Sequence, residues 1–329
     1  MLDRTLQISG AEGVERLASG EAWTPFRLLL EDGRAKSVVW ALLADAVRDE
    51  PSYEAGVADR LSAVPWFVGS LESLEGQSDT GRGAPLEGVV WHLSRCGSTL
   101  ARNLLSATSG AVALGEPAVV NQALHLSADS GGGEGAGSLL HGVLGALVPL
   151  STEHRRYYIK ASSFALRHIE RLVDCRPGLP MIFIHRNPRE VLVSLVRKPP
   201  AWLQEGVPGF AESRPAPGDD LATRAARILI AFYEVAFAAH ERGACRFVDY
   251  EQLVERLIDG DLPTYFGYEV DSPTRDRMRA ASRLDAKGGR RFGVDSEAKR
   301  ESFGALDLPR SLCRQLDEHH ERASRISMG

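Results

Sequence analysis

The chain has 329 residues, of which 43% are hydrophobic and 25% charged, and its formal net charge is −5. A chain of this length can bury a large core as one big α/β domain or as two domains of unequal size. The slightly acidic balance argues against a general nucleic-acid binder, which needs a basic surface, and still allows a local basic pocket.

The cysteine spacing and the hydropathy pattern indicate the cellular compartment. The four cysteines, Cys96, Cys175, Cys245 and Cys313, have no paired spacing, which predicts neither a zinc site nor a disulfide framework and favours a reducing environment. The first twenty residues lack the apolar core of a signal peptide. No apolar run reaches the roughly 20 residues of a membrane helix. We therefore expect a cytoplasmic protein without a membrane partner.

The N-terminal part gives two local signals. FRLLLEDGRAKSVVW at 26–40 places an Asp-Gly turn between apolar runs, which predicts a β-hairpin. SVVWALLADAVRDEP at 37–51 has apolar residues at helical spacing, which predicts a helix ending at Pro51. The Gly-rich stretch at 76–85 then predicts a joint. We expect residues 1–80 to form a small cap on the substrate side and residues 86–329 to form the main domain.

The main domain alternates between strand-like and helical patterns. Apolar runs that predict strands lie at 88–93, 111–114, 156–160, 181–185 and 244–249. Helical patterns lie at 99–108, 163–173, 189–197, 221–242 and 250–258. This alternation predicts an α/β fold, with a mostly parallel sheet and helices on both faces. Ligands bind at the carboxyl ends of the strands in such folds, so residues that directly follow a strand are candidate site residues.

Two segments interrupt this alternation. Residues 129–138 and 204–220 are rich in Gly, Pro and charge, and we expect them to be mobile, functional loops.

The stretch VVWHLSRCGSTLAR at 89–102 begins as a strand and ends as a helix, with a P-loop-like turn between them. The first N–H groups of a helix and its dipole favour an anion at such a turn. Gly97 allows close approach, Ser98 and Thr99 add hydroxyl donors, and Arg95 has a forked guanidinium suited to phosphate oxygens. The alternative is a capped helix whose arginine faces solvent.

A second turn of this kind occurs in MIFIHRNPREVLVS at 181–194. The strand stops at Arg186, and Pro188 suits the first turn of the next helix, where no N–H is needed. Ser194 lies eight residues after Arg186, so both can converge on one anion. Taken alone, an Arg-Asn-Pro turn is usually structural.

Together the two motifs resemble the sulfotransferases that use 3′-phosphoadenosine 5′-phosphosulfate (PAPS). SRCGSTL is similar to the Arg-type loop that binds the 5′-phosphosulfate, and RNPREVLVS to the strand and helix that bind the 3′-phosphate. FVDYEQLV at 247–254 and AKGGRRF at 286–292 are weaker matches, and the resemblance covers roughly residues 86–300. The donor-binding residues that it implies are Arg95, Cys96, Gly97, Ser98, Thr99, Leu100, Arg186, Ser194, Lys287, Gly288 and Arg290.

The resemblance also implies the catalytic residues. The cytosolic branch uses a histidine base at a position where this chain has Ser162, and a serine hydroxyl is a poor base near neutral pH. The protein-tyrosine and some bacterial sulfotransferases use a glutamate, and Glu116 stands twenty-one residues after Arg95, directly beyond a predicted strand. Glu116 is thus the expected base, assisted by Arg95 and Lys160. The alternative is a surface glutamate in a loop.

Other residues near the motifs carry smaller expectations. If Glu116 is not the base, His92 and His125 are the next candidates. We expect Cys96 to react with thiol reagents, because positive surroundings favour a thiolate.

The implied activity is transfer of the sulfuryl group from PAPS to a hydroxyl or amine of a small-molecule acceptor, with release of 3′,5′-adenosine diphosphate (PAP) and no required metal. A small-molecule P-loop kinase is an alternative, but it should show GxxxxGK[ST] and a metal-binding aspartate. A non-catalytic nucleotide-binding protein of the same fold is another. The motifs do not specify the acceptor or the oligomeric state.

Overall fold

The computed structural model describes residues 3–43, 53, 62–75, 77, 81–129, 134–151, 153–206, 218–283, 302–304 and 306–328. The strands in chain order are β1 (Trp23–Glu31), β2 (Arg34–Leu42), β3 (Trp66–Ser70), β4 (Leu86–His92), β5 (Ala111–Gly115), β6 (Arg156–Lys160), β7 (Met181–His185) and β8 (Arg246–Asp249). The first three form an antiparallel sheet in the order β1-β2-β3. The other five form a parallel sheet in the order β5-β6-β4-β7-β8.

Helices pack around these sheets. In chain order they are α1 (Gly10–Ala18), α2 (Ser98–Ser106), α3 (Ala118–Asp129), α4 (Glu134–Ala146), α5 (Ile169–Cys175), α6 (Pro188–Arg197), α7 (Ala201–Glu205), α8 (Leu221–Glu241), α9 (Leu253–Ile258), α10 (Leu262–Phe266), α11 (Ser272–Ser282) and α12 (Arg310–Met328). Short 3₁₀ turns lie at Arg4–Leu6, Leu71–Ser73, Ser163–His168 and Tyr250–Gln252. Within the described ranges, no helix has the length and hydropathy needed to cross a bilayer.

The predicted α/β fold class is confirmed. Every residue of β5 and β7 is buried, as expected for parallel strands that are covered on both faces and therefore read as continuous apolar runs. After β4 the chain leads to β5 at one edge of the sheet, and after β7 it leads to β8 at the opposite edge. The loops that follow β4 and β7 therefore diverge at the boundary between these two strands. Such a divergence opens a crevice at the carboxyl ends of the strands, where ligands of α/β proteins bind.

The predicted hairpin is also confirmed, as strands β1 and β2. Its turn holds Asp32 at φ 50° and Gly33 at φ 74°, and two positive φ angles are what a tight type I′ hairpin turn requires. The helix predicted over 37–51 is wrong for residues 37–42, which belong to β2. Val38 to Ala41 are all buried, and a short apolar run that is buried on both faces cannot be told from a helix by spacing alone. Residues 44–50 lie outside the described part.

The antiparallel sheet contacts the parallel-sheet part of the chain through α3. The Leu28 N–H donates to Gln122 Oε1 at 2.9 Å, and Gln122 Nε2 donates to the Leu28 carbonyl at 3.1 Å. One continuous hydrophobic core includes residues of both sheets, from Trp23 in β1 to Phe247 in β8. Because α3 begins two residues after Glu116, this docking fixes the helix that leaves the predicted catalytic loop.

The two interrupting segments differ from the expectation. Helix α4 begins at Glu134, so residues 134–138 are helical rather than loop. Residues 204 and 205 lie in α7. Residues 130–133 and 207–217 are outside the described ranges, so the expectation of mobility there stays a prediction.

Candidate functional site

The predicted site residues gather at the carboxyl edge of the parallel sheet. Lys160, the last residue of β6, pairs in register with Gly115 of β5 on one side and with Val90 of β4 on the other. Glu116 therefore directly follows the strand beside Lys160, and Arg95 leaves the strand on its other side. Arg186 follows β7, the next strand along.

The loop after β4 has an unusual backbone. Ser94 has φ 62°, Arg95 φ 49° and Gly97 φ 87°. Non-glycine residues rarely adopt this left-handed region, and each costs roughly 1–3 kcal/mol, a strain that clusters at functional sites. A turn with left-handed residues can direct successive backbone N–H groups toward one concave side, which suits an anion. Gly97 is the N-cap of α2, so the first N–H groups and the dipole of α2 also face this loop.

Gly97 is required here for a second reason. A Cβ atom at this position would lie 2.2 Å from Cε2 of Tyr250, well inside contact distance. Tyr250 follows β8 and belongs to the FVDYEQLV motif, although its contact with the loop could not be read from that motif. The tyrosine ring thus forms one wall of the loop.

The two predicted phosphate motifs meet directly. Arg95 Nε donates to Ser194 Oγ at 3.1 Å, across 99 residues of sequence. Ser194 lies on α6, which follows β7, so this bond joins the two loops that diverge at the β4–β7 boundary.

Arg186 is held from two sides. Its guanidinium forms an ion pair with Glu190 Oε2 at 2.6 Å, and the Glu190 side chain is only 3% exposed. It also lies over the Tyr250 ring, 4.7 Å from the centroid, where a cation–π contact fixes its plane. Glu190 was not predicted as a site residue, although the Arg-x-x-x-Glu spacing at the start of a helix could have signalled the pair. Asn187 caps α6 by accepting from the Arg189 N–H at 3.0 Å, and Pro188 occupies the first turn as predicted.

Glu116 and Lys160 form a second cluster beside the loop. The Lys160 ammonium is paired with Glu116 Oε1. The Glu116 side chain is 43% exposed and the Lys160 side chain 8%, so the carboxylate reaches the surface while the ammonium lies beneath it. Glu116 has φ 57° and its N–H donates to the Lys160 carbonyl at 2.7 Å. The strained backbone at Glu116 is therefore fixed by the same residue that pairs with its side chain.

Two neutral side chains complete this cluster. Ser162 Oγ donates to Glu116 Oε2 over a long 3.5 Å, and Asn121 Nδ2 donates to Ser162 Oγ at 2.8 Å. Ser162 thus stands next to the glutamate. Neither contact was predicted from the sequence.

The two histidines that are the next candidates for the base, His92 and His125, lie in different places. His92, the last residue of β4, has Nε2 3.8 Å from Glu116 Oε1. His125 lies on α3 against Arg167, whose Nη2 is 3.0 Å from His125 Nδ1. Of the two, only His92 has a described contact with the Glu116 carboxylate.

The expectation of a reactive Cys96 is wrong. Cys96 is fully buried and its Sγ donates to the Ile184 carbonyl at 3.3 Å. Burial raises the pKa of this thiol to about 11, and the opposing effect of Lys160 and Arg186 is smaller. Leu100 is also buried, and its N–H donates to the Gly97 carbonyl at 2.9 Å. Both side chains are buried, so Cys96 and Leu100 offer backbone groups rather than side chains to this edge.

The remaining predicted donor residues, Lys287, Gly288 and Arg290, lie outside the described residues. Among the residues that are described, no group of three or more His, Cys, Asp or Glu side chains is arranged to hold a metal ion. The charged groups brought together at this edge include Arg95, Arg186, Lys160 and Glu116, a set that suits a phosphorylated ligand and a proton transfer.

Comparison with known proteins gives no match to a family model and none to a curated protein. Among solved structures, the chain is similar to the sulfotransferase domain from the curacin biosynthetic pathway, with TM-score 0.46, 13% identity, and coverage of 74% of this chain and 98% of that one. It is also similar to the sulfotransferase domain of the Synechococcus PCC 7002 olefin synthase, with TM-score 0.42, 16% identity, and coverage of 74% and 95%. The third is sulfotransferase STF1 from Mycobacterium tuberculosis H37Rv, with TM-score 0.43, 15% identity, and coverage of 80% and 90%.

Proposed function

We propose that this chain is a sulfotransferase that moves the sulfuryl group of PAPS to a hydroxyl or amine of a small-molecule acceptor and releases PAP. The observation that carries the proposal is the contact between Arg95 and Ser194. It joins two anion-type loops at one sheet edge, and a nucleotide with phosphates at both its 5′ and 3′ positions needs two such sites side by side.

The loop after β4 is proposed to hold the 5′ end of the donor. Arg95 supplies charge, and Gly97, Ser98 and Thr99 supply N–H and hydroxyl donors at the start of α2. Charge-assisted hydrogen bonds of this kind are about twice as strong as neutral ones. The fit is supported by the left-handed backbone of the loop and by Gly97, where a Cβ would collide with Tyr250.

Arg186 and Ser194 are proposed to hold the 3′-phosphate. The Arg95–Ser194 bond is compatible with this role, because Ser194 accepts from Arg95 through its oxygen and keeps its own O–H as a donor. Glu190 and Tyr250 hold the Arg186 guanidinium in place, which lowers the entropy cost of ligand binding. Lys287, Gly288 and Arg290 are proposed to cover the same phosphate, as the sequence predicts.

Glu116 is proposed to be the base. Sulfuryl transfer breaks the bond between sulfur and the bridging phosphate oxygen, forms a bond from sulfur to the acceptor oxygen or nitrogen, and sends the acceptor proton to the Glu116 carboxylate. Lys160 and Arg95 offset the negative charge that develops on the departing phosphate. Positioning and electrostatics of this kind supply most of the catalysis in the related phosphoryl transfers.

Lys160 has two roles in this proposal. In the structure described here it is paired with Glu116, and the phosphosulfate offers a competing anionic partner. A shift of the ammonium toward the donor leaves the carboxylate less neutralised and better able to take a proton. Donor binding thereby prepares the base.

The acceptor side is proposed to lie between Glu116, α3 and the N-terminal sheet. Support comes from the exposed part of the Glu116 carboxylate and from the hydrogen bonds that dock β1 on α3. A small metabolite of a reducing, cytoplasmic compartment is the proposed acceptor class.

Thermal unfolding with PAP, compared with Mg²⁺-ATP, tests the donor class. We expect PAP to raise the unfolding temperature in a concentration-dependent way and Mg²⁺-ATP to have a much smaller effect. A larger shift with Mg²⁺-ATP would favour a kinase. Incubating cell extracts with PAPS and the protein, and searching for products heavier by about 80 mass units, the increment of SO₃, then identifies the acceptor.

A further inference from the structure

His92 connects the two halves of the proposed site. It ends β4, is 3% exposed, and its two ring nitrogens face different partners. Nδ1 accepts a hydrogen bond from the Ser94 N–H at 3.0 Å. Nε2 lies 3.8 Å from Glu116 Oε1. One buried ring therefore touches both the anion loop and the proposed base.

The contact with Ser94 fixes the form of the ring. A backbone N–H can only donate, so Nδ1 carries no proton, and a neutral imidazole then carries its proton on Nε2. This N–H faces the Glu116 carboxylate. The 3.8 Å between Nε2 and Glu116 Oε1 is too long for a hydrogen bond, so His92 presents an N–H to the carboxylate as an electrostatic contact and not as a second proton acceptor.

The ring also supports the loop. Ser94 has φ 62° and Arg95 has φ 49°, both strained for residues with a side chain. Such a backbone persists only where neighbouring contacts hold it. The bond to His92 Nδ1 is a contact of this kind at the first residue of the strained stretch.

We propose that His92 is a positioning residue, which keeps the Glu116 carboxylate turned toward the anion loop when Lys160 moves to the donor; this inference rests on the proposed function. Lys160 and His92 both face Oε1 of Glu116. If Lys160 turns away, His92 remains on that oxygen and Ser162 on the other. Since the ring is anchored by the Ser94 backbone, the direction of the base is linked to the conformation of the loop that binds the donor.

Two substitutions separate the two contacts. In His92→Asn the side-chain oxygen can still accept from the N–H two residues on, as in an Asx turn, but the amide is too short to reach Glu116. In His92→Gln the longer amide can reach toward Glu116 but no longer forms the short-range turn. PAP affinity is measured by calorimetry, and the rate of PAP release is followed at saturating PAPS in the cell extract that supplies the acceptor.

For His92→Asn we expect PAP affinity within about threefold of wild type and a PAP-release rate lower by roughly ten- to hundredfold, the order of effect of a misplaced catalytic group. For His92→Gln we expect the opposite: a larger loss of PAP affinity than in His92→Asn and a smaller loss of rate. Near-wild-type release by His92→Asn would overturn the proposal, and so would equal losses of both quantities in both variants. Failure of the wild-type chain to bind PAP would instead contradict the proposed function itself.

Discussion

Arg95 Nε lies 3.1 Å from Ser194 Oγ, and the two residues come from loops that leave neighbouring parallel strands in opposite directions. This one bond brings together a strand–turn–helix anion loop and the Arg-Asn-Pro turn with its serine. Either motif alone is common in proteins. Their contact, with Glu116 and Lys160 at the ends of the adjoining strands, is what distinguishes this edge of the sheet.

The conformation of the anion loop depends on Gly97. Gly97→Ala forces a Cβ into the left-handed region, at a cost of about 1–2 kcal/mol, and into the Tyr250 ring. We expect a lower unfolding temperature and a loss of PAP affinity of at least tenfold. Combining the change with Tyr250→Leu should restore part of the stability, because the clash is relieved while the backbone strain remains. Wild-type PAP affinity in Gly97→Ala would show that this loop does not bind the donor.

Much of the fold could be predicted because parallel strands that are buried on both faces read as plain apolar runs. The strands at 111–114, 156–160 and 181–185 were found almost to the residue for this reason. The same property explains why a helix was wrongly predicted for residues 37–42: over a few residues, a strand that is buried on both faces has the same apolar pattern as a buried helix.

The candidate site also has a part that the sequence predicts and a part that it does not. Arg95, Arg186 and Glu116 stand directly after strands, so their convergence at one edge follows from parallel topology. The Tyr250 contact could not be predicted, because Tyr250 reaches the anion loop from the strand at the edge of the sheet, whereas the Glu190 partner of Arg186 has a signal in the Arg-x-x-x-Glu spacing. The direction of the His92 ring depends on a single backbone N–H, which no spacing pattern reports.

Burial should protect Cys96 from thiol reagents. Its side chain is fully buried and burial raises its pKa to about 11, so little thiolate is present near neutral pH. Cys313 is partly exposed and serves as the internal comparison. With a small excess of iodoacetamide and peptide mass mapping, we expect Cys313 to be alkylated well before Cys96. Preferential alkylation of Cys96 in the native protein would contradict this packing.

His185 should make stability sensitive to acid. It is fully buried at the end of β7, with Nε2 2.9 Å from Ser327 Oγ of α12. Burial, helped by the nearby His320, lowers the pKa of His185 to about 3, and burial also lowers the pKa of His320. Below pH 6.5 the unfolded chain takes up a proton on His185 that the folded chain does not. The free energy of unfolding therefore falls as the pH drops from about 6.5 toward 3.

The size of this effect can be measured. Between pH 7 and pH 5 the contribution of His185 amounts to about 2 kcal/mol of lost stability. Urea unfolding of the wild type and of His185→Gln at the two pH values isolates the contribution of His185. The variant keeps a polar partner for Ser327 but has no titrating group at position 185. A variant with an unchanged pH dependence would show that His185 is not responsible.

The proposed base predicts a separation of rate from binding. Glu116→Gln keeps the size and hydrogen bonding of the side chain but removes its basicity, so sulfuryl transfer should slow by about 10²–10⁴. PAP affinity should stay within a few-fold, since the proposal places Glu116 on the acceptor side rather than among the nucleotide contacts. Glu255→Gln, an exposed substitution on α9, is the matched control. Near-full turnover of Glu116→Gln would place the base elsewhere.

The most direct test of the proposed donor site is calorimetric titration of PAP and of adenosine 5′-phosphate into wild type, Arg186→Ala and Arg189→Ala. Arg189 begins the same helix but pairs with Asp317 at 2.6 Å, so its removal takes away a charge without touching the Arg186 contacts. Losing one charge-assisted contact costs about 1.5–3 kcal/mol. The account predicts that Arg186→Ala weakens PAP roughly ten- to hundredfold, leaves adenosine 5′-phosphate nearly unchanged, and that Arg189→Ala affects neither. The account would be contradicted if Arg186→Ala weakened the binding of both nucleotides equally. It would also be contradicted if the wild type bound PAP and adenosine 5′-phosphate with the same affinity.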